Sequence, residues 1–165
     1  MQGNNVFLRS IQPEDEPFLL RLVNDPDATR YIQGLMTDPD TLHQWIASLD
    51  KDSCEFIVSL TNGTPIGECS IGGLGEAAEI GYMFLPEYWN KGYGTATVEI
   101  LVQLVDKMGF SAVVATTDTR NAASVHLLEK MGFTENRQGW MLHLSEGGES
   151  NGEGQTVVEY RKEFP

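Results

Sequence analysis

The chain has 165 residues, 41% of them hydrophobic, and carries 24 acidic against 11 basic residues for a formal net charge of −13. That length suffices for a single domain over 1–165 with a sizeable core, and that apolar content excludes an intrinsically disordered chain. The charge balance excludes nucleic acid as a partner, since phosphate backbones are bound by clustered lysine and arginine, and no apolar run approaches the ~20 residues of a membrane helix.

Met1-Gln2-Gly3-Asn4-Asn5 has neither a basic stretch nor an apolar one, so no export signal is expected and a cytoplasmic protein is the default. A strand is predicted over 5–10. Pro13 stands at a favoured first helical position, and the helix it opens runs until Asn24-Asp25-Pro26 breaks it. A short helix is expected over 27–32. Asp38-Pro39 opens a second helix with Leu42, Trp45, Ile46 and Leu49 on one face. Strands over 55–60 and 65–71 are joined by Thr61-Asn62-Gly63-Thr64, a strong hairpin signal. Cys54 and Cys69 lack C-x-x-C spacing, so they read as buried small hydrophobes in a reducing compartment. The apolar run from Glu79 to Leu85 reads as a strand, and Val98, Leu101, Val102, Val105 and Met108 are spaced as one face of a long helix. A buried strand over 111–117, a helix over 124–131 and strands over 133–144 and 157–162 complete the pattern. The last two are separated by a polar, glycine-rich loop at 145–154.

Trp89-Asn90-Lys91-Gly92-Tyr93-Gly94-Thr95-Ala96 joins the fourth strand to the long helix. A helix start leaves its first N–H groups without intrahelical partners and carries partial positive charge, so strand, turn and helix together make a ready anion site. Gly92 and Gly94 let the backbone approach a phosphate, and Lys91 adds a point charge beside it. The run fits neither a Walker loop nor a dinucleotide fingerprint, whose third glycine is Thr97 here. Taken alone, the loop is equally a tight turn with no ligand. The chain's acidity opposes a polyanionic ligand and favours a cationic acceptor such as an amine or a basic peptide, though solubility explains it as well.

Further on comes Asn121-Ala122-Ala123-Ser124-Val125-His126-Leu127-Leu128-Glu129-Lys130-Met131-Gly132-Phe133. This run, the glycine loop, the strand Glu79-Ile80-Gly81-Tyr82 and the opening from Val6 to Asp15 together resemble the GCN5-related N-acetyltransferase (GNAT) superfamily over nearly the whole chain. More narrowly, they resemble its ribosomal-protein alanine N-acetyltransferases (RimJ/RimL-like). The resemblance implies an α/β (α+β) fold, a central mixed and mostly antiparallel sheet of about seven strands, splayed after the fourth and flanked by helices. It implies acetyl-CoA as cosubstrate, with the pantetheine arm paired to the backbone of Met83, Phe84 and Leu85. The pyrophosphate would then rest on N–H groups of Lys91, Gly92, Tyr93, Gly94, Thr95 and Ala96. Asn121 would cap its helix and touch the cofactor. Trp89 stands where the superfamily usually has Arg or Gln, and tryptophan is common in this branch.

Direct attack on a thioester needs an unprotonated amine. At pH 7 that costs about 4–5 kcal/mol for a lysine-like amine of pKa about 10.4, and only about 1 kcal/mol for an α-amine near 7.7–8. A protein or peptide N-terminal α-amine therefore needs little more than one carboxylate and is the acceptor expected. A small amine, such as a polyamine or an antibiotic, is the alternative. Glu79, just upstream of the pantetheine-pairing residues, is the first candidate base, and Glu55, at the start of a neighbouring strand, is the second. Each is also readable as a solvated strand-end carboxylate, Glu55 more readily than Glu79. Many family members carry a tyrosine where Leu128 stands, so Ser124, one turn earlier on the same helix face, is the candidate donor to the leaving thiolate. A helix-start serine bonding backbone is its other reading. The missing tyrosine leaves open a catalytically weak, CoA-binding regulatory module, while the absent third glycine disfavours a nucleotide-binding one. His43, His126 and His143 lack the spacing of a metal site, so no metal is expected, and Trp45 and Trp140 read as packing residues. Monomer and homodimer are both compatible with the sequence.

Overall fold

The computed structural model describes residues 5–73, 75–136 and 157–165. In chain order the elements are β1 (Val6–Ser10), α1 (Glu16–Val23), α2 (Pro39–Ser48), β2 (Glu55–Leu60), β3 (Pro65–Gly72), β4 (Ala77–Phe84), α3 (Tyr93–Lys107), β5 (Ala112–Asp118), α4 (Ala122–Lys130), β6 (Thr134–Asn136) and β7 (Val157–Glu163). Short 3-10 turns occupy Pro13–Asp15 and Pro86–Tyr88. One seven-stranded sheet runs in the order β1-β2-β3-β4-β5-β7-β6. The β1/β2, β2/β3, β5/β7 and β6/β7 pairs are antiparallel. β4 and β5 are parallel and pair over only three residues of each, Ala77 with Ala112, Ala78 with Val113 and Glu79 with Val114. The mixed, mostly antiparallel α/β sheet expected from the sequence is thus present, with α3 as the crossover a parallel pair requires.

Contacts divide the chain into two compact units, 1–71 with 81–100 and 72–80 with 101–165. In the first, Ile11, Leu19, Leu42 and Ile46 pack on Ile57 of β2, and Leu22 and Val23 pack with Met83 of β4 and with Leu85 just after it. α2 starts where expected because the Asp38 carboxylate accepts from the Thr41 N–H and hydroxyl, each at 2.8 Å. Gly67 is required by close approach, since a Cβ there would lie 2.4 Å from Met83 O and 2.6 Å from the Phe84 ring. The helix expected over 27–32 is absent, and turns take its place. The Asp25 carboxylate accepts from the N–H of Asp27 at 3.0 Å and Ala28 at 2.9 Å, while Thr29 Oγ1 donates to Asp25 O at 2.7 Å. The backbone bonds that follow, Thr29 N–H to Asp25 O at 3.1 Å, Arg30 N–H to Asp27 O at 3.4 Å and Ile32 N–H to Thr29 O at 2.9 Å, include only one of helical i→i−4 spacing, so the segment stays as successive turns.

The second unit buries Leu101 and Val105 of α3, Ala112–Val114 along β5, Leu128 and Phe133, and Val158 and Tyr160 of β7. Met108 does not join the apolar face as expected and is 50% exposed. α3 ends at Lys107, and Gly109, at φ +85°, turns the chain away before the next helical position is reached. Cys69 is buried as expected, whereas Cys54 is half-buried, because it precedes β2 with its Sγ 3.8 Å from Asp52 O. The strand expected over 133–144 is described only as far as β6. The rest of it, with Trp140, His143 and the 145–154 loop, lies outside the described residues.

The connection from β1 to α1 is held by a buried charge. Arg9 donates to both oxygens of Asp15, Nη1 to Oδ2 at 2.7 Å and Nη2 to Oδ1 at 2.6 Å, and the Gln12 N–H adds a bond to Oδ2 at 2.8 Å. Burial alone would raise the Asp15 carboxyl, but the Arg9 fork and the Gln12 N–H outweigh it and hold the group below the usual carboxylate range. Asp15→Asn is expected to lower the free energy of unfolding by about 1.5–3 kcal/mol at pH 7. Because the folded pKa is depressed, this contribution is complete above the unfolded value of about 3.9 and fades as pH falls through the folded one. Urea denaturation of both proteins from pH 7 downward checks the size and the direction.

Candidate functional site

In the first unit, β4 ends where Leu85 donates to Ile66 O at 3.1 Å and Pro86 opens a 3-10 turn. The exposed Trp89 turns its indole inward, and Nε1 donates to Phe84 O at 3.0 Å, bracing the loop against the strand end. Asn90 at φ +57° and Gly92 at φ +82° then reverse the chain, and the Ala96 N–H closes the first turn of α3 on Gly92 O at 3.1 Å. The N–H groups of Tyr93, Gly94 and Thr95 therefore precede the first intrahelical bond. Gly92 occupies the left-handed region that glycine alone enters without strain, whereas Gly94 is helical. Lys91 Nζ donates to Glu87 O at 2.6 Å and lies 5.7 Å from the Tyr88 ring centroid, so in this structure its charge serves the loop itself. The side chains of Met83, Phe84 and Leu85 are buried, which leaves only backbone for a ligand, and the Leu85 N–H is taken by Ile66.

In the second unit, Glu79 stands on β4 opposite Val114, and Thr116 Oγ1 donates to Glu79 Oε1 at 2.9 Å. Beyond Thr116, β5 ends in a clamp on Asp118, which is 2% exposed. Arg120 donates to it from Nε at 3.0 Å, Nη2 at 2.8 Å and its own N–H at 2.9 Å, holding the carboxyl below the usual range. The Asn121 N–H bonds Asp118 O at 2.9 Å, and its side-chain oxygen accepts from the Ser124 N–H at 3.2 Å. Asn121 is thus the N-cap of α4 that the sequence predicts. His126 is exposed, and Leu128, in place of the family tyrosine, is fully buried as a packing residue. Among the described residues no group of three or more His, Cys, Asp or Glu is placed to hold a metal ion.

Glu55 is no solvated strand end. The register of β2 with β3 pairs Glu55 with Ser70 and Ile57 with Glu68, so both carboxyls share one face of the sheet, and they hydrogen-bond to each other. Two carboxyls bond only if one keeps a proton. Burial, then the neighbouring Glu55, pushes Glu68 up to about 8, and burial raises Glu55 despite the bond from Glu68. The Cys69 thiol is likewise pushed up by burial and then by Glu68 and Glu55.

Glu68, Thr116 and Glu159, like Asp118 and Arg120, are polar residues that the sequence did not single out. Glu159 is 7% exposed, lies opposite Thr116 in β7 and accepts from Asn136 Nδ2 at 2.6 Å. For Glu68, Thr116 and Glu159, a polar residue inside an apolar strand run is the signal the sequence gives. Its meaning depends on which partner the register brings alongside.

Residues 5–134 match the family described as the acetyltransferase (GNAT) domain. The chain is 28% identical over 142 residues to the uncharacterized protein YkkB of Bacillus subtilis (strain 168), covering 79% of this chain and 82% of that one. It is 27% identical over 152 residues to the uncharacterized N-acetyltransferase YoaA of the same organism, covering 81% of each. Among solved structures it resembles spermidine N-acetyltransferase from Vibrio cholerae in complex with CoA and spermine. The TM-score is 0.80 at 22% identity, over 96% of this chain and 95% of that one. An acetyltransferase (GNAT family) from Bacillus anthracis gives a TM-score of 0.75 at 20% identity, over 98% and 95%. At these identities the structural likeness shows the fold.

The Glu55–Glu68 pair makes stability depend on pH. A carboxyl whose folded pKa is raised binds more protons folded than unfolded, so stability falls as pH rises from about 4.3 toward the folded value. Glu68→Gln keeps the shape and a hydrogen-bonding group without the ionisation. Its melting temperature is expected to gain on the wild type steadily between pH 5 and pH 8.5, as read by scanning calorimetry. A gap that stays constant with pH would show that the pair holds no extra proton.

Proposed function

The chain belongs to the GNAT family of acetyltransferases, and on that premise we propose that it moves an acetyl group from acetyl-CoA to an amine, with Glu79 as base and Ser124 as donor to the leaving sulfur. The observation that carries this reading is Glu79, whose carboxylate is held by the Thr116 hydroxyl of β5; the loop of Gly92, with the N–H groups that precede the first intrahelical bond of α3, supports the donor half by itself. Those N–H groups suit a pyrophosphate, and Asn121 at the N-terminus of α4 offers a further polar contact.

Acetyl-CoA supplies an activated carbonyl and a thiol leaving group. Glu79 takes a proton from the acceptor ammonium, directly or through one water, so that nitrogen bonds to the carbonyl carbon as the carbon–sulfur bond breaks. The Ser124 hydroxyl passes its proton to the departing sulfur, which leaves as a thiol, and the second proton released by the acylated nitrogen restores the hydroxyl, while the first leaves Glu79 for solvent. The balance is one protonated amine and one thioester giving an amide, a thiol and one proton. The acceptor proposed is a peptide or protein α-amine, in keeping with the RimJ/RimL-like motifs, since one fixed carboxylate meets its demand of about 1 kcal/mol. A polyamine is the second reading, supported by the likeness to an enzyme solved with spermine. A cytoplasmic site of action belongs to the same proposal.

Calorimetric titration with acetyl-CoA, with ATP and NAD as controls, tests the donor half. Acetyl-CoA should bind selectively. Gly92→Val adds about 1–3 kcal/mol of backbone strain and is expected to weaken CoA binding roughly tenfold or more. Unchanged affinity would remove the anion cradle. With a panel of alanyl peptides, spermine and lysine, Glu79→Gln should lower kcat by about 10²–10⁴. Ser124→Ala should lower it by about tenfold, the worth of one hydrogen bond. Turnover of none of the panel, with CoA still bound, would favour a regulatory CoA-binding module.

A further inference from the structure

Glu79 and Thr116 meet through the parallel register. Glu79 pairs with Val114, so Thr116 is the next residue along the same face of β5, and it donates to Glu79 Oε1 at 2.9 Å. On its other side, Thr116 pairs with Glu159 of β7, whose carboxylate accepts from Asn136. A threonine hydroxyl has a single proton to give, and here it is directed to Glu79. The β-branched side chain restricts χ1, so the donor is fixed. A glutamate carboxyl, by contrast, turns broadly about its last torsion unless something holds it.

We propose that Thr116 is a positioning residue of the transferase site, whose hydroxyl locks Glu79 Oε1 and leaves Oε2 to receive the proton of the acceptor amine. The proposal rests on Glu79 as base. It adds a residue from a different strand. A base held within a few tenths of an ångström transfers a proton at a rate that a freely turning one does not reach.

Thr116→Val keeps the volume and removes the donor, while Thr116→Ser keeps the donor and removes the methyl. With acetyl-CoA and the acceptor panel, Thr116→Val is expected to lower kcat about tenfold with the KM for acetyl-CoA unchanged, and Thr116→Ser to restore most of the rate. In a Glu79→Gln background Thr116→Val should change nothing further, because the two residues act as one unit. An equal loss in both backgrounds, or no rescue by serine, overturns the positioning role while leaving Glu79 as base. Wild-type kcat in Glu79→Gln overturns the base itself and the proposal with it. Should Thr116→Val fail to fold, Thr116→Ala against Thr116→Ser makes the same comparison. A readout without an acceptor is the carboxyl ¹³C resonance of Glu79, assigned through Glu79→Gln. It should move in Thr116→Val and stay in Thr116→Ser, and no movement in either overturns the proposal.

Discussion

Parallel strands cannot be joined by a tight turn, so the pairing of residues 77–79 with 112–114 obliges the chain to leave β4 at its far end and return through α3. That route places a helix N-terminus directly after the C-terminal end of a sheet strand, the position where α/β folds bind ligands. It also explains the loop chemistry. The chain must reverse between Phe84 and Tyr93, and it does so with Asn90 and Gly92 at positive φ and an indole bonded to the strand's carbonyl. The same parallel register brings Thr116 beside Glu79, so the helix start after β4 and the held carboxylate both follow from one choice of connection.

Among the described residues, the acidic side chains Asp15, Asp118 and Glu68 are accommodated in two different ways. Asp15 and Asp118 each receive an arginine fork and stay ionised. Glu68 has no such fork and bonds instead to Glu55, which obliges the pair to keep a proton. With 11 basic residues against 24 acidic ones, cations are scarce, and proton sharing is the remaining way to keep two carboxyls on one half-buried sheet face. The forks sit at chain connections, β1 to α1 and β5 to α4, where fixed geometry matters. The proton-sharing pair sits mid-sheet, where the strands already set the geometry.

What the sequence made legible was local. The Asp38 cap, the Asn121 cap, the Gly63 hairpin turn and the Gly92 reversal are written within a few residues of where they act. Motifs of this kind also carried the family likeness, and with it the sheet. The errors were local competitions judged by pattern alone. The segment over 27–32 makes turn bonds of i→i−3 spacing instead of a helical ladder, and Met108 fell beyond a helix that Gly109 ends. The polar partners of the candidate site were not legible, because Glu68 beside Glu55 and Thr116 beside Glu79 depend on register between strands. No periodicity within a single strand encodes a neighbour that arrives from another.

The charge of the chain sets its two proposed substrates against each other. A net charge of −13 repels a polyanionic cofactor at long range, and the lysine nearest the cradle, Lys91, is bonded to the Glu87 carbonyl. Backbone N–H groups at a helix start answer this, because they carry partial positive charge without changing the net charge and act within the first turn. An ammonium acceptor meets the opposite situation, drawn by the field that hinders the cofactor, with a carboxylate waiting in a fixed orientation. Local dipoles therefore do for the anion what net charge does for the amine. A chain this acidic can serve both because the two effects operate over different distances.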